Sequence, residues 1–161
     1  MKIRKATEKD IPQLILLIKK SFEKSKSWAI DETNNVINKK EGVIYVAVDN
    51  NKFIGFIGLK KYQERPWAEK FIDFKKSIAL SWIALLKEYR GKGIGSKLLD
   101  VADEQVKKWG KERIWLNCKE DRINFYKRNG YEVVGYFMKQ REEGKRRQYI
   151  MEKKLLNKES N

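Results

Sequence analysis

The sequence predicts an α/β (α+β) fold in which a central sheet of about six to seven strands is flanked by about four helices. Three observations predict it. Apolar residues recur at helical spacing in some segments and alternate, or run on continuously, over strand-length stretches in others. Residues that tolerate positive φ punctuate the strand-like runs. A glycine-rich turn, Arg90-Gly91-Lys92-Gly93-Ile94-Gly95, joins a long apolar run directly to an amphipathic one. The 161 residues suit one hydrophobic core, so a single domain is expected over 1–156, with a frayed tail over 157–161.

The elements follow in order. Ile3 between charged neighbours marks a short strand over Met1–Lys5. Thr7 is an N-cap, with Asp10 three residues on in a capping-box position and Pro12 in the first turn, where its missing N–H costs little. Ile11, Leu14, Ile15, Ile18 and Phe22 then share one helical face. A weaker helix is expected over Asp31–Lys39, with Val36 and Ile37 inward, after a segment Ser25–Ile30 that carries Trp28. Val43–Val48 and Phe53–Leu59 form a hairpin across the turn residues Asp49-Asn50-Asn51-Lys52. In Lys61–Lys76 the only structural signal is a short helix begun near Pro66.

Ile78–Leu86 is the next strand, broken only by Ser81. After the glycine turn, Ser96, Leu98, Leu99, Val101, Ala102 and Val106 define a helix ending near Gly110. Arg113–Asn117 is another strand, and Asp121 is placed to cap a helix through Phe125 and Tyr126 that Asn129-Gly130 ends with a left-handed cap. Tyr131–Met138 and Arg147–Leu155 are the last strands, around the polar turn Glu142-Glu143-Gly144.

Composition narrows the chemistry. The chain has no histidine, which removes the commonest neutral-pH base, the commonest metal ligand and every His-containing triad. Its single cysteine, Cys118, excludes an internal disulfide and a Cys-rich metal site, so no metal is expected. No run of about 18 apolar residues is present to span a membrane, and the start of the chain turns polar too early for a signal peptide. A cytoplasmic location follows as an expectation. Charged residues reach 37% and the net charge is +15, against roughly 25% charged residues in an ordinary globular protein. The lysines are scattered, which favours a solubility role, so nucleic acid is expected to bind only nonspecifically through charge.

The glycine turn carries the functional signal. Glycines at alternate positions remove Cβ atoms and let phosphates approach the main chain, and the helix that follows offers unpaired N–H groups and its positive dipole end. Arg90, Lys92 and Lys97 add formal charge. Two nucleotide motifs do not fit. A phosphate-binding P-loop closes with Gly-Lys-Ser/Thr, whereas Gly95-Ser96-Lys97 has the order reversed. A dinucleotide fingerprint needs G-x-G-x-x-G, whereas the glycines here are Gly91, Gly93 and Gly95.

Arg90–Gly95, preceded by Ile83-Ala84-Leu85 and followed by Leu98-Leu99, resembles the acetyl-CoA-binding motif of the GNAT-type N-acetyltransferases. Asn124-Phe125-Tyr126-Lys127-Arg128-Asn129-Gly130-Tyr131 resembles the same family's second motif, and the order of elements resembles its fold over nearly the whole chain. The resemblance implies a mixed, mostly antiparallel sheet that splays between the fourth and fifth strands. It implies that main-chain N–H groups from Arg90 to Ser96, including those of Gly91, Lys92, Gly93, Ile94 and Gly95, meet the cofactor pyrophosphate, and that the pantetheine arm runs beside Ile83, Ala84 and Leu85. Tyr126 aligns with the tyrosine that protonates the departing thiolate, and Phe125 stands beside it in the motif. A phenol suits that task, with a reference pKa of about 10 against about 8.5 for a thiol.

Two positions depart from the family pattern. Lys119 and Arg122 stand where relatives often carry an asparagine and a small residue, which leaves Asn117 as the substitute cofactor contact. No carboxylate lies on the fourth or fifth strand to act as general base; Ser77 and Ser81 are the only polar groups on the fourth, which leaves Glu64, Glu69 or Asp73 from the adjoining loop, or an ordered water, as the alternatives. Trp28 and Trp67 fall in the variable segments that shape the acceptor pocket in the family, and either packs equally well as core. Cys118 reads as a packing residue, since nothing is present to activate its thiol.

The expected function is transfer of an acetyl group from acetyl-CoA to a primary amine, of a peptide N-terminus, a lysine or a small molecule, by direct attack. The alternative is a non-catalytic acyl-CoA sensor, or a basic module that binds nucleic acid or ribosomes. Dimers are common in the family, so a homodimer is the candidate oligomer.

Overall fold

The computed structural model describes residues 1–22 and 26–155. Ser25 and the tail expected to fray over 157–161 lie outside the described residues. The strands are β1 (Lys2–Lys5), β2 (Gly42–Asp49), β3 (Lys52–Lys60), β4 (Ser77–Leu85), β5 (Arg113–Cys118), β6 (Glu132–Arg141) and β7 (Gly144–Lys154). The helices are α1 (Ile11–Phe22), α2 (Lys26–Ile37), α3 (Ile94–Lys108) and α4 (Ile123–Arg128). The seven strands form one sheet in the order β1-β2-β3-β4-β5-β7-β6. β4 and β5 are parallel, while β1–β2, β2–β3, β5–β7 and β6–β7 are antiparallel. The parallel register joins Ser77–Ala79 to Arg113–Trp115.

The chain divides into two compact units: 1–62 with 80–102, and 63–79 with the residues from 103 onward. In the first, α1 and α2 cover the β1–β2–β3 meander, and Leu14, Ile18, Ile44, Val46, Ile54, Phe56, Ile57 and Leu59 are buried. Asn50 and Asn51, at the tip of the β2–β3 hairpin, both have positive φ (48° and 65°), as a type I′ turn requires.

A 3-10 turn, Glu8–Asp10, leads into α1 and is tied down as the capping-box pattern predicts, with Thr7 at its N-cap. The Thr7 N–H donates to the Asp10 carboxylate at 2.8 Å, and Arg4 clasps the same carboxylate with two N–H groups at 2.8 and 3.0 Å. The Arg4 hydrogen bond holds the Asp10 carboxyl below the usual carboxylate range. A group whose folded pKa is depressed stabilises the fold above its unfolded pKa, and that contribution is lost as pH falls through the folded pKa. Asp10→Ala is therefore expected to cost about 1–2 kcal/mol at neutral pH, and the deficit relative to wild type should shrink below roughly pH 4, read from urea melts at the two pH values.

Helices α2 and α4 differ from expectation. α2 begins at Lys26 and ends at Ile37, whereas the sequence suggested Asp31–Lys39, and Trp28 is consequently helical. Its inner face runs through Ala29, Thr33 and Val36, all buried. Thr33 disguises that stripe as polar; its hydroxyl donates to the Ala29 carbonyl at 2.6 Å and so satisfies itself within the helix. Lys40, with φ of 54°, then turns the chain away. Asp121 does not cap α4. It lies exposed in a short 3-10 turn, Glu120–Arg122, that leads into the helix, and Arg122 holds the cap position.

In the second unit β5, β7 and β6 surround a second cluster. Ala68, Ile72, Ala79, Trp115 and Ile150 are its buried centre, with Trp67, Phe71, Phe74, Val134 and Phe137 packed on it. The stretch that the sequence left almost unread contributes half of these side chains. One 3-10 turn, Pro66–Ala68, is its only regular element, and it folds by inserting aromatics rather than by periodicity. Phe71 lies flat against Gly135, where a Cβ would come within 2.6 Å of the ring. Gly135→Ala is expected to destabilise the unit by about 1–3 kcal/mol, seen as a lowered Tm.

Candidate active site

Within the first unit, β4 ends at Leu85 and is anchored there, because the Leu86 N–H donates to the Ile54 carbonyl at 2.8 Å. Ile83, Ala84 and Leu85 are half-buried at this strand end. A 3-10 turn, Lys87–Tyr89, leads to Arg90, whose Nε donates back to the Leu85 carbonyl at 3.1 Å and closes the loop on the strand. Gly91 and Gly93 have φ of 77° and 81°, a region that costs an ordinary residue roughly 1–2 kcal/mol. A Cβ at either would meet nothing within 4 Å, so the main chain is exposed to whatever approaches it.

α3 starts at Ile94, two residues earlier than the sequence suggested, so Gly95 and Ser96 belong to its first turn. The helical pattern leaves the N–H groups of Ile94, Gly95 and Ser96 without a partner inside the helix, while Lys97 already donates to the Gly93 carbonyl. These N–H groups sit at the positive dipole end of a 15-residue helix. Lys92 lies over the Tyr89 ring at 5.6 Å, and Arg90 and Lys97 are exposed beside the loop. The result is an open stretch of backbone at a helix N-terminus with cations beside it, an arrangement that can accept an anion. Trp28, also in this unit, packs edge-on against Phe22 at 6.3 Å.

Within the second unit, Tyr126 is buried on α4, its ring edge-on to Phe125 at 5.1 Å and to Tyr131 at 5.6 Å. The helix closes by the cap the sequence predicts: the Tyr131 N–H donates to the Tyr126 carbonyl at 3.0 Å, across Gly130 at φ of 93°. Burial pushes the Tyr126 hydroxyl well above the ordinary tyrosine range, with Cys118 adding to the effect and Arg122 opposing it. The phenol is thus held as an acid. Tyr131 is buried more deeply still, and burial, Asp103 and Tyr126 raise it too.

Cys118 has its thiol pushed up to about 11, chiefly by burial, and directed to the Met151 sulfur at 3.7 Å. That is the environment of a packing thiol. Asn117, on the opposite face of β5, accepts a hydrogen bond at 2.8 Å from the amide of Gln148 on β7. Sequence reasoning missed Gln148; the signal was a polar residue at the inward position of a strand whose next inward residue is Ile150. Trp67 stacks on Phe137 with ring centroids 3.9 Å apart and meets Trp115 edge-on. Glu64, Glu69 and Asp73 are all exposed, and Ser77 is buried. No group of three or more His, Cys, Asp or Glu side chains among the described residues could hold a metal, and no described helix is long and apolar enough to cross a membrane.

The family model described as acetyltransferase (GNAT) family matches residues 11–131. An uncharacterized N-acetyltransferase of Methanocaldococcus jannaschii is 27% identical over 140 residues, covering 81% of this chain and 60% of the relative. N-alpha-acetyltransferase 30 of Schizosaccharomyces pombe is 33% identical over 90 residues, covering 54% of this chain and 55% of the relative. The chain thus spans somewhat more than half the length of these curated relatives. Among solved structures, an aminoglycoside 6'-N-acetyltransferase complexed with coenzyme A superposes with a TM-score of 0.77 at 18% identity, covering 98% of this chain and 99% of that one. At that identity the likeness shows a shared fold.

Proposed function

The chain belongs to the acetyltransferase (GNAT) family, and on that premise we propose that it transfers an acetyl group from acetyl-CoA to a primary amine by direct attack. The observation that carries this reading is the open cradle at Gly91 and Gly93 leading into the N-terminus of α3. A diphosphate fits it because the N–H groups are exposed, the dipole is favourable and no side chain stands in the way. The main chain from Arg90 to Ser96 holds the pyrophosphate, and Ile83, Ala84 and Leu85 flank the pantetheine. The half-buried Phe125 and the amide of Asn117 are further cofactor contacts.

The chemistry balances with the residues present. The amine nitrogen forms a bond to the thioester carbon, the carbon–sulfur bond breaks, and the Tyr126 hydroxyl gives its proton to the departing thiolate. The amine loses its proton to water or to an exposed carboxylate of the 61–76 segment. Main-chain N–H near Leu85 polarises the thioester carbonyl. Trp28 and Trp67 border the acceptor.

A net charge of +15 repels polycations and favours a peptide amine over a polyamine. The similarity to a relative named as an N-alpha-acetyltransferase points the same way. The protein works in the cytoplasm on this reading, where acetyl-CoA and nascent peptides are both available. The test is thiol release from acetyl-CoA with a panel of peptides, spermidine and an aminoglycoside. Release with peptides and little with spermidine is the expected result. Equal use of spermidine would overturn the acceptor class, and acetyl-CoA binding without release from any amine would point to a sensor.

A further inference from the structure

We propose that Lys153 is a positioning residue for Tyr126: clasped by Asp103, its side chain pins the turn at Gly130 and Tyr131 that ends α4, and so fixes where the Tyr126 hydroxyl stands. This deepens the transferase reading above, in which Tyr126 supplies the proton, and rests on it. All of these residues belong to the second unit.

α4 cannot hold Tyr126 in place by itself. It is six residues long, and no side chain caps its N-terminus. Isolated helices shorter than about 12–15 residues are marginal in water, so its orientation comes from what it packs against. Its C-terminal end is closed by hydrogen bonds. The N–H groups of Asn129 and Tyr131 both donate to the Tyr126 carbonyl at 3.0 Å, and the Asn129 side-chain amide donates to the Phe125 carbonyl at 2.8 Å. Tyr126 is thereby tied to the Gly130-Tyr131 turn through its main chain, and through its ring as well, edge-on to Tyr131 at 5.6 Å.

Lys153 of β7 holds this turn. Its stem crosses Gly130 so closely that a Cβ there would come within 3.0 Å of Cε and 3.5 Å of Cδ. Nζ lies 5.9 Å from the centre of the Tyr131 ring and donates to the Asp103 carboxylate. At its other end Lys153 is fixed by the β5–β7 ladder, where it pairs with Ile114. The side chain therefore runs from the sheet, over the turn, to α3, and is held at both ends. Its charge and that of Asp103 are largely buried, with side-chain exposures of 20% and 12%. A buried ion pair is a weak source of net stability, because apolar side chains of similar size pack there without the desolvation cost. What the charges add is direction: the ammonium has one partner to reach, and the stem lies over Gly130 as a result. A reacting group displaced by about 1 Å loses about 10²-fold in rate, so a clasp on this turn acts on the chemistry.

The experiment measures kcat and the KM for acetyl-CoA with the best peptide acceptor, for Lys153→Met and Asp103→Asn/Lys153→Met, each with Tyr126 intact and with Tyr126→Phe. It also follows hydrogen exchange at the Tyr131 amide by NMR. Lys153→Met strands the Asp103 charge, so its Tm should fall; the double variant leaves neither charge and guards against misfolding. In the double variant kcat should drop about tenfold or more, with the KM within about threefold and circular dichroism preserved. The Tyr131 amide should exchange about tenfold or more faster, while amides of β2 keep their wild-type rates. With Tyr126→Phe already present, the same substitutions should change kcat by less than about twofold, because no proton donor is left to misplace. An unchanged kcat in the folded double variant would overturn the proposal, as would an equal drop in the Tyr126→Phe background, which marks a general loosening. If no peptide is acetylated, or Tyr126→Phe keeps the wild-type kcat, the reading of Tyr126 as proton donor fails, and the exchange data decide the clasp by themselves. Faster exchange at Tyr131 in the variants supports it, and an unaltered rate overturns it.

Discussion

Replacing Tyr126 with phenylalanine is expected to lower kcat by about 10²–10⁴-fold while leaving the KM for acetyl-CoA within a few-fold of wild type. The substitution keeps the ring, and with it the edge-on packing on Phe125 and Tyr131, so the helix and its cap should survive. What is removed is the proton. Burial holds the Tyr126 hydroxyl above the ordinary tyrosine range, so it stays protonated where an exposed tyrosine begins to ionise. The wild-type rate should therefore show no alkaline limb from this group up to about pH 10, where an exposed tyrosine would begin to ionise. A variant with an unchanged kcat would make Tyr126 a packing residue.

The second large effect is expected from Gly93→Val, and in parallel from Gly91→Val. The φ values of 81° and 77° are strained for any residue with a Cβ and most for a β-branched one. A strain of roughly 1–2 kcal/mol lowers the share of loops in the cradle conformation by about 5–30-fold, and apparent affinity falls with that share. The KM for acetyl-CoA should rise by about that factor for either variant. Space is not the cause, since a Cβ at these positions meets nothing within 4 Å, so the fold itself should tolerate the change. The split is diagnostic: Tyr126→Phe acts on kcat and Gly93→Val on KM. An unaltered KM in both glycine variants would remove the cradle from cofactor binding.

Much of this was legible in the sequence because the physics was local. The turn at Asn50-Asn51 needs left-handed residues, the Thr7–Asp10 box satisfies the ends of its own helix, and the glycine loop announces exposed backbone. Each can be read from a few adjacent residues. The 61–76 segment could not be read this way. Its Trp67, Phe71 and Phe74 are ordered by Trp115 and Phe137, far away in sequence, and one-dimensional periodicity carries no trace of such contacts. α2 was blurred for a different reason, since Thr33 hides a polar group inside an apolar stripe by bonding to Ala29. The site was partly hidden by the same long-range effect. The contact of Gln148 with Asn117 becomes visible only once β5 and β7 are paired in register.

Direct transfer is the central claim, and it is tested most directly by following acetyl-CoA, a peptide amine and the protein together by mass spectrometry. The account predicts one free coenzyme A thiol for each acetylated peptide, with the protein mass unchanged throughout the time course. Appearance of an acetylated protein that passes its acetyl group on to peptide, with Cys118 as the modified residue, would contradict it.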